Sequence, residues 1–150
     1  MFSYIANSHG ITCISAGGKG NILSKIKELP DKKLLVFADG AAFGSNMAEV
    51  YQYTQLHPND IILYLPESFE WLVLASGVIH DSEIDSILAQ PADHIECRNF
   101  FSWEQYFTHL LTKKTAGSQA QYSKRRLNNY YLNEQNVVKI IHAMESDNTN

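Results

Sequence analysis

ISAGGKGNILSKIKELPDKKLLVFADGAAFG, residues Ile14–Gly44, holds two glycine-rich breaks, each after an apolar run and each before a stretch with helical spacing. Short, wholly apolar runs are the pattern of strands covered on both faces. Leu34 to Ala38 (LLVFA) and Ile61 to Leu65 (IILYL) are two such runs, and Ile11 to Ala16 (ITCISA) is a β-branched run of the same size that ends at Gly17. Between them, Ile22, Leu23, Ile26 and Leu29, then Met47, Val50 and Tyr51, recur at the spacing of one helix face. The order β-α-β-α-β predicts a short parallel sheet of about three strands, a Rossmann-like arrangement in which ligands bind beyond the carboxyl ends of the strands. Gly17 to Asn21, Asp39 to Gly44 and Pro66 to Glu70 all fall on that rim.

Beyond Pro66 the spacing turns helical. Glu67 to Gly77, Asp81 to Gln90 and Ser102 to Lys114 read as three helices, the last opening on a Ser-x-x-Gln capping box. Tyr122 to Leu132 and Asn133 to Met144 read as two more. The expected organisation of the α/β chain is therefore a single domain: residues 1–66 as the β-α-β-α-β part, residues 67–144 as an all-helical C-terminal half, and residues 145–150 as a disordered tail. Gly117 and Ser118 mark a candidate linker without dividing the domain.

The net charge of −4 hides an asymmetry that bears on partners. Residues 1–100 carry 6 Lys/Arg against 12 Asp/Glu, and residues 101–144 carry 6 against 2, which places positive charge on the helical half. Cys13 and Cys97 are too few and too far apart for a disulfide scaffold or a zinc site and read as free thiols. The longest apolar stretch, Ile61 to Ile79, is interrupted by Pro66, Glu67 and Glu70. A cytoplasmic protein that does not span a membrane is expected.

Each rim segment has two readings. Gly17, Gly18, Lys19, Gly20 and Asn21 combine pliant backbone, a cation and a helix start, which suits a phosphate group; they suit equally a turn that brings the helix close to the sheet. No Ser or Thr follows Lys19, so this is not a Walker motif. Asp39, at the tip of an apolar run, is placed either to hold Mg²⁺ or to cap the next turn. Glu67 and Glu70 open a helix, where acids complement the dipole, or else supply a second metal ligand beside Asp39. The six histidines show no ligand spacing, and no nucleophile elbow is present. Lys124, Arg125 and Arg126 stand among tyrosines, a composition that serves nucleic-acid backbones and bases; the preferred reading is core aromatics and an exposed basic helix face.

The segment Gly10 to Gly44 resembles a Toprim domain of the type found in OLD-family nucleases and related ATPase-coupled proteins. Ile11 to Ala16, the Gly17 to Asn21 turn, Ile22 to Leu29, and the strand Leu34 to Asp39 match that pattern in order, and Ile61 to Leu65 with Glu70 fills the place of a later strand leading to a glutamate. The resemblance covers the first half of the chain. It implies a Mg²⁺ site using Asp39 and Glu70, with Glu67 in support, phosphodiester chemistry, and nucleic acid or an ATPase protein as partner. Two departures bear on catalysis. Residues 1–10 contain no acid, so the family's first glutamate strand has no counterpart there, and Ala41 stands where the second aspartate of Asp-x-Asp belongs. Two-metal phosphoryl transfer needs several carboxylates to fix ions about 4 Å apart. The resemblance thus implies a catalytically reduced module that binds nucleic acid or a protein partner. An active Mg²⁺-dependent nuclease or phosphotransferase, and a nucleotide-binding module acting through Gly17 to Asn21, are the alternatives.

Overall fold

The structure is a computed structural model that describes residues 1–38, 45–94, 100 and 102–148. Its helices are α1 (Phe2–Ser8), α2 (Ile22–Lys27), α3 (Ser45–Leu56), α4 (Phe69–Ala75), α5 (Ser82–Ala89), α6 (Trp103–Thr115) and α7 (Glu134–Asn148), with 3₁₀ turns at Lys19–Asn21, Pro91–Asp93 and Asn129–Leu132. The strands β1 (Leu34–Phe37) and β2 (Ile61–Tyr64) pair in parallel, with Leu34 opposite Ile61 and Phe37 opposite Tyr64. The chain is a mixed α/β protein, mostly helical, whose sheet has two strands among the described residues.

Side chains alternate across a strand, so each strand feeds two cores. Leu34, Val36, Ile61 and Leu63 face a small core built on Ile22 and Ile26 of α2 and Met47 and Val50 of α3. Phe37 faces the other way, into a larger core of α4, α5, α6 and α7 that includes Leu72, Leu74, Ile84, Phe107, Leu111, Tyr131 and Ile140. Phe2 of α1 lies against Phe37 with ring centroids 4.2 Å apart, and Phe37 against Tyr64 at 5.3 Å.

The helical half begins and ends its elements with side chains placed for that purpose. Ser68 accepts from the Trp71 amide at 3.0 Å, Asp81 from the Glu83 amide at 2.9 Å, and Ser102 from the Gln105 amide at 3.2 Å, each satisfying a donor that the first helical turn leaves open. Gly77 and Gly117 lie just past α4 and α6 at φ +71, the left-handed stop favoured by glycine. Gly117 is thus an exposed helix terminator, and Ser118 is bonded back to the Thr115 carbonyl at 2.8 Å. No helix among the described residues is long and apolar enough to cross a membrane. Cys13 is an exposed free thiol; Cys97 lies outside the described residues.

Three expectations are corrected. Ile11 to Ala16 is not a strand: residues 11–15 are exposed and lack secondary structure, between Gly10 at φ +68 and Gly17 at φ +72. β-propensity acts through pairing and burial, and this run has no ladder partner among the described residues. Tyr122 to Leu132 is not a helix but a loop followed by the 3₁₀ turn at Asn129–Leu132. The Asn128 amide donates to the Gln119 and Gln121 carbonyls at 2.8 and 3.1 Å, so side-chain bonds replace helical ones. The tail expected from residue 145 is helical as far as Asn148, because Tyr64 donates to Asp147 at 2.9 Å and ties α7 to the sheet.

Leu111, wholly buried between α6 and the rest of the larger core, sets the first prediction. Leu111→Ala is expected to lower unfolding stability by about 2–5 kcal/mol, read as a shift of the urea midpoint with the slope unchanged.

Candidate functional site

The rim is assembled only in part. Gly17–Asn21 is exposed, with the Gly17 amide donating to the Ser15 hydroxyl at 3.2 Å and the Asn21 amide to the Gly18 carbonyl at 3.1 Å. A Cβ added at Gly20 would stand 3.7 Å from the Asn46 side-chain nitrogen, so this turn lies against the first turn of α3. Gly18, at φ +138, occupies backbone that other residues rarely adopt. Lys19 projects into solvent. The Ala38 amide donates to the Tyr64 carbonyl at 3.2 Å, carrying the β1–β2 ladder one residue past Phe37. Asp39, the next residue and the first metal and catalytic candidate, lies outside the described residues, as does Ala41.

The third rim segment divides its two acids. Glu67 is exposed. Glu70 is 3% exposed in the first turn of α4, and its Oε1 accepts the Tyr122 hydroxyl at 2.7 Å. Tyr122 is held in turn by its own amide, which donates to the Thr115 hydroxyl at 2.9 Å, while Thr115 donates to the Leu111 carbonyl at 2.7 Å. The ring of Phe69 stands 6.4 Å from that of Tyr122, and Tyr131 meets Tyr122 edge-on at 6.2 Å. The structure therefore brings Glu70 together with a tyrosine 52 residues along the chain, within the larger core. Mg²⁺ keeps several waters when protein carboxylates bind it, and an enclosed carboxylate already engaged by a phenol does not fit that role. Among the described residues no three His, Cys, Asp or Glu side chains stand close enough to share a metal ion.

The aromatic residues expected beside the basic run separate by burial. Tyr122 and Tyr131 belong to the core, whereas Lys124, Arg125 and Arg126 are exposed in a turn closed by the Arg126 amide on the Ser123 carbonyl at 3.3 Å. The basic residues thus present a turn and not a helix face. Lys124 pairs with Glu104, which draws this turn to the start of α6, where Trp103 is 41% exposed. The turn that carries the three cationic residues is thus tied, through Lys124, to the helix end that carries an accessible indole. Trp103 was legible only as one aromatic among several; it lies on the same face of α6 as Tyr106, Phe107, Leu110 and Leu111, 6.0 Å from the ring of Phe107, and its exposure follows from its place in the first turn, at the end of that face.

The buried hydroxyls set the alkaline behaviour. Burial, reinforced by the Glu70 bond, holds the Tyr122 hydroxyl well above the ordinary tyrosine value; burial and Asp147 do the same for Tyr64. Burial pushes Tyr131 up to about 12, against an opposing contribution from Thr115. In each case the fold favours the neutral form, so the contribution to stability is complete below the unfolded value of 10.0 and is lost as pH rises from there through the folded value. Urea unfolding is expected to show stability falling between pH 10 and about 12, with a shallower fall in Tyr131→Phe. At neutral pH, Tyr122→Phe is expected to cost about 1–3 kcal/mol by leaving the buried Glu70 without its donor, and much less when Glu70→Leu is already present.

Comparison of the chain with family models, with curated proteins and with solved structures finds no match in any of the three.

Proposed function

We propose that this chain is a catalytically reduced Toprim-like module that binds nucleic acid, with Trp103, Lys124, Arg125 and Arg126 as the contact surface. The observation that carries the reading is the Lys124–Glu104 pair, which sets a basic turn beside an exposed indole. Backbone phosphates are met by clustered cations, and an accessible aromatic face stacks an unpaired base without regard to its identity. The reduced catalytic role is supported by the place of Glu70, whose carboxylate is enclosed in the helical core by Tyr122. The fold half of the reading is a Rossmann-like sheet of about three strands, of which β1 and β2, joined through α3, supply two. A role beside an ATPase partner belongs to the same reading and rests on the sequence resemblance alone.

The alternative of an active Mg²⁺-dependent nuclease or phosphotransferase leaves Asp39 and Glu67 without Glu70. The alternative of phosphate binding at Gly17, Gly18, Lys19, Gly20 and Asn21 is supported by the exposure of that turn and of Lys19.

Anisotropy titration of labelled single-stranded DNA tests the proposal. Affinity is expected to fall by roughly 0.7 log unit per phosphate contact for each decade of salt, and Arg125→Ala with Arg126→Ala to reduce that slope by about two contacts. Trp103→Ala is expected to weaken binding with the slope unchanged, since stacking carries no counterion release. Binding that is absent or indifferent to salt would overturn the nucleic-acid reading. Divalent-metal-dependent cleavage abolished by Asp39→Asn would establish the nuclease instead.

A further inference from the structure

The two-stranded sheet is incompletely covered. Leu35 and Phe37 share a face with their partners Ile62 and Tyr64, and Phe2, Phe69 and α7 cover only the Phe37–Tyr64 end of it. Leu35 and Ile62, side by side in register, are 61% and 55% exposed. Parallel sheets are normally covered on both faces, which makes an open apolar pair in one unusual.

The outer edge of β2 has no neighbouring strand among the described residues either. The Leu34 amide bonds the Asp60 carbonyl at 2.7 Å and the Ala38 amide bonds the Tyr64 carbonyl at 3.2 Å, so alternate residues of β2 turn their backbone groups toward β1. Ile61, Leu63 and Leu65 turn theirs outward. The Ile61 amide is used by the His57 carbonyl at 3.0 Å, but the amide and carbonyl of Leu63 have no partner among the described residues. Along this edge runs a groove of about 350 Å³ between α3 and β2, lined by Tyr51, Gln55, Pro58, Ile62, Leu63 and Leu65. IILYL contains no charged residue of the kind that guards natural sheet edges, whereas β1 follows Lys32 and Lys33.

The chain also carries a segment suited to that edge. Ile11–Ala16 runs without turn or bend, exposed over residues 11–15, and its β-branched residues meet no ladder. In extended backbone Ile11, Cys13 and Ser15 point to one side and Thr12, Ile14 and Ala16 to the other, so each side offers one isoleucine. Added at that edge, the segment would turn one isoleucine toward the groove beside α3 and the other toward the Leu35–Ile62 pair. The segment is fixed to its own chain elsewhere: the Ile11 amide donates to the Ala6 carbonyl at 2.8 Å, Ser3 meets Cys13, and Ala16 packs in the small core. These contacts hold the segment on its own chain and leave residues 11–15 exposed, so they stand open to the edge of another molecule.

We propose that a second copy of this chain docks on the outer edge of β2 by adding its Ile11–Ala16 segment as a third strand, the exchange being reciprocal in a two-fold dimer. The proposal is independent of the nucleic-acid reading, since it uses neither α6 nor the basic turn. Reciprocity gives each chain one donated and one accepted strand, which closes the assembly and leaves no extending fibre.

Sedimentation equilibrium of the full chain under reducing conditions, which prevent a Cys13 disulfide, tests this. The expected result is a dimer whose dissociation constant rises at least about tenfold in both Ile14→Lys and Ile62→Lys. Both sites are exposed in one chain, and circular dichroism is expected to be unchanged. Val138→Lys, an exposed apolar site on α7, is expected to leave the constant as it is. A synthetic peptide of residues 10–17 is expected to dissociate the dimer. A monomer at every concentration, or a dimer indifferent to either Ile14→Lys or Ile62→Lys, would overturn the proposal.

Discussion

Two strands of four residues each separate two apolar cores, and the rest of the molecule is arranged by that division. A parallel pair has no tight turn to hold it, so it persists only where helices cover its faces and the crossover between the strands is itself packed. Here α3 is the crossover, and with α2 it covers Leu34, Val36, Ile61 and Leu63. The opposite face is covered at one end only, by α1 and the helical half. The exposure of the Leu35–Ile62 pair follows from that one-ended cover.

The same boundary decides the fate of Glu70. A carboxylate in the first turn of a helix lies close to unsatisfied amides and to the positive end of the dipole, and in an open rim those properties suit a metal or a phosphate. In this fold α4 turns that position inward. Burial of a polar group is costly unless it is bonded, and the Tyr122 hydroxyl supplies the bond while Thr115 and Tyr131 hold Tyr122 in place. The acid thereby joins α4 to the loop after α6, with Leu72, Leu74 and Leu111 packed around it in the same core.

Charge on the outer surface is arranged differently. Lys114 bridges Asp81 and Glu83 at the start of α5, and Lys124 reaches Glu104 at the start of α6. Surface pairs of this kind contribute little to stability, and their effect is to position a loop or a helix end. For Lys124 the result is a basic turn held close to Trp103. Arg125 and Arg126 are held there by chain continuity and by the Ser123–Arg126 turn, with no acidic partner among the described residues.

Sequence by itself determined the α/β class, the parallel pair, the helices α3 to α7 and the cap Ser102, because periodicity and capping are local chemistry that neighbouring residues enforce. It also placed Lys124, Arg125 and Arg126 on the surface, since a run of charges stays in water. Tertiary structure alone decided that Ile11–Ala16 forms no strand in the single chain, that Tyr122–Leu132 is a loop, and that α7 continues to Asn148. Only the fold, too, decided that Glu70 meets Tyr122 instead of a rim. The physical reason is common to these cases: pairing, burial and long-range hydrogen bonds depend on which distant residue arrives, and a strand-like run, a tyrosine-rich loop or an acid at a helix start carries no local mark of its partner.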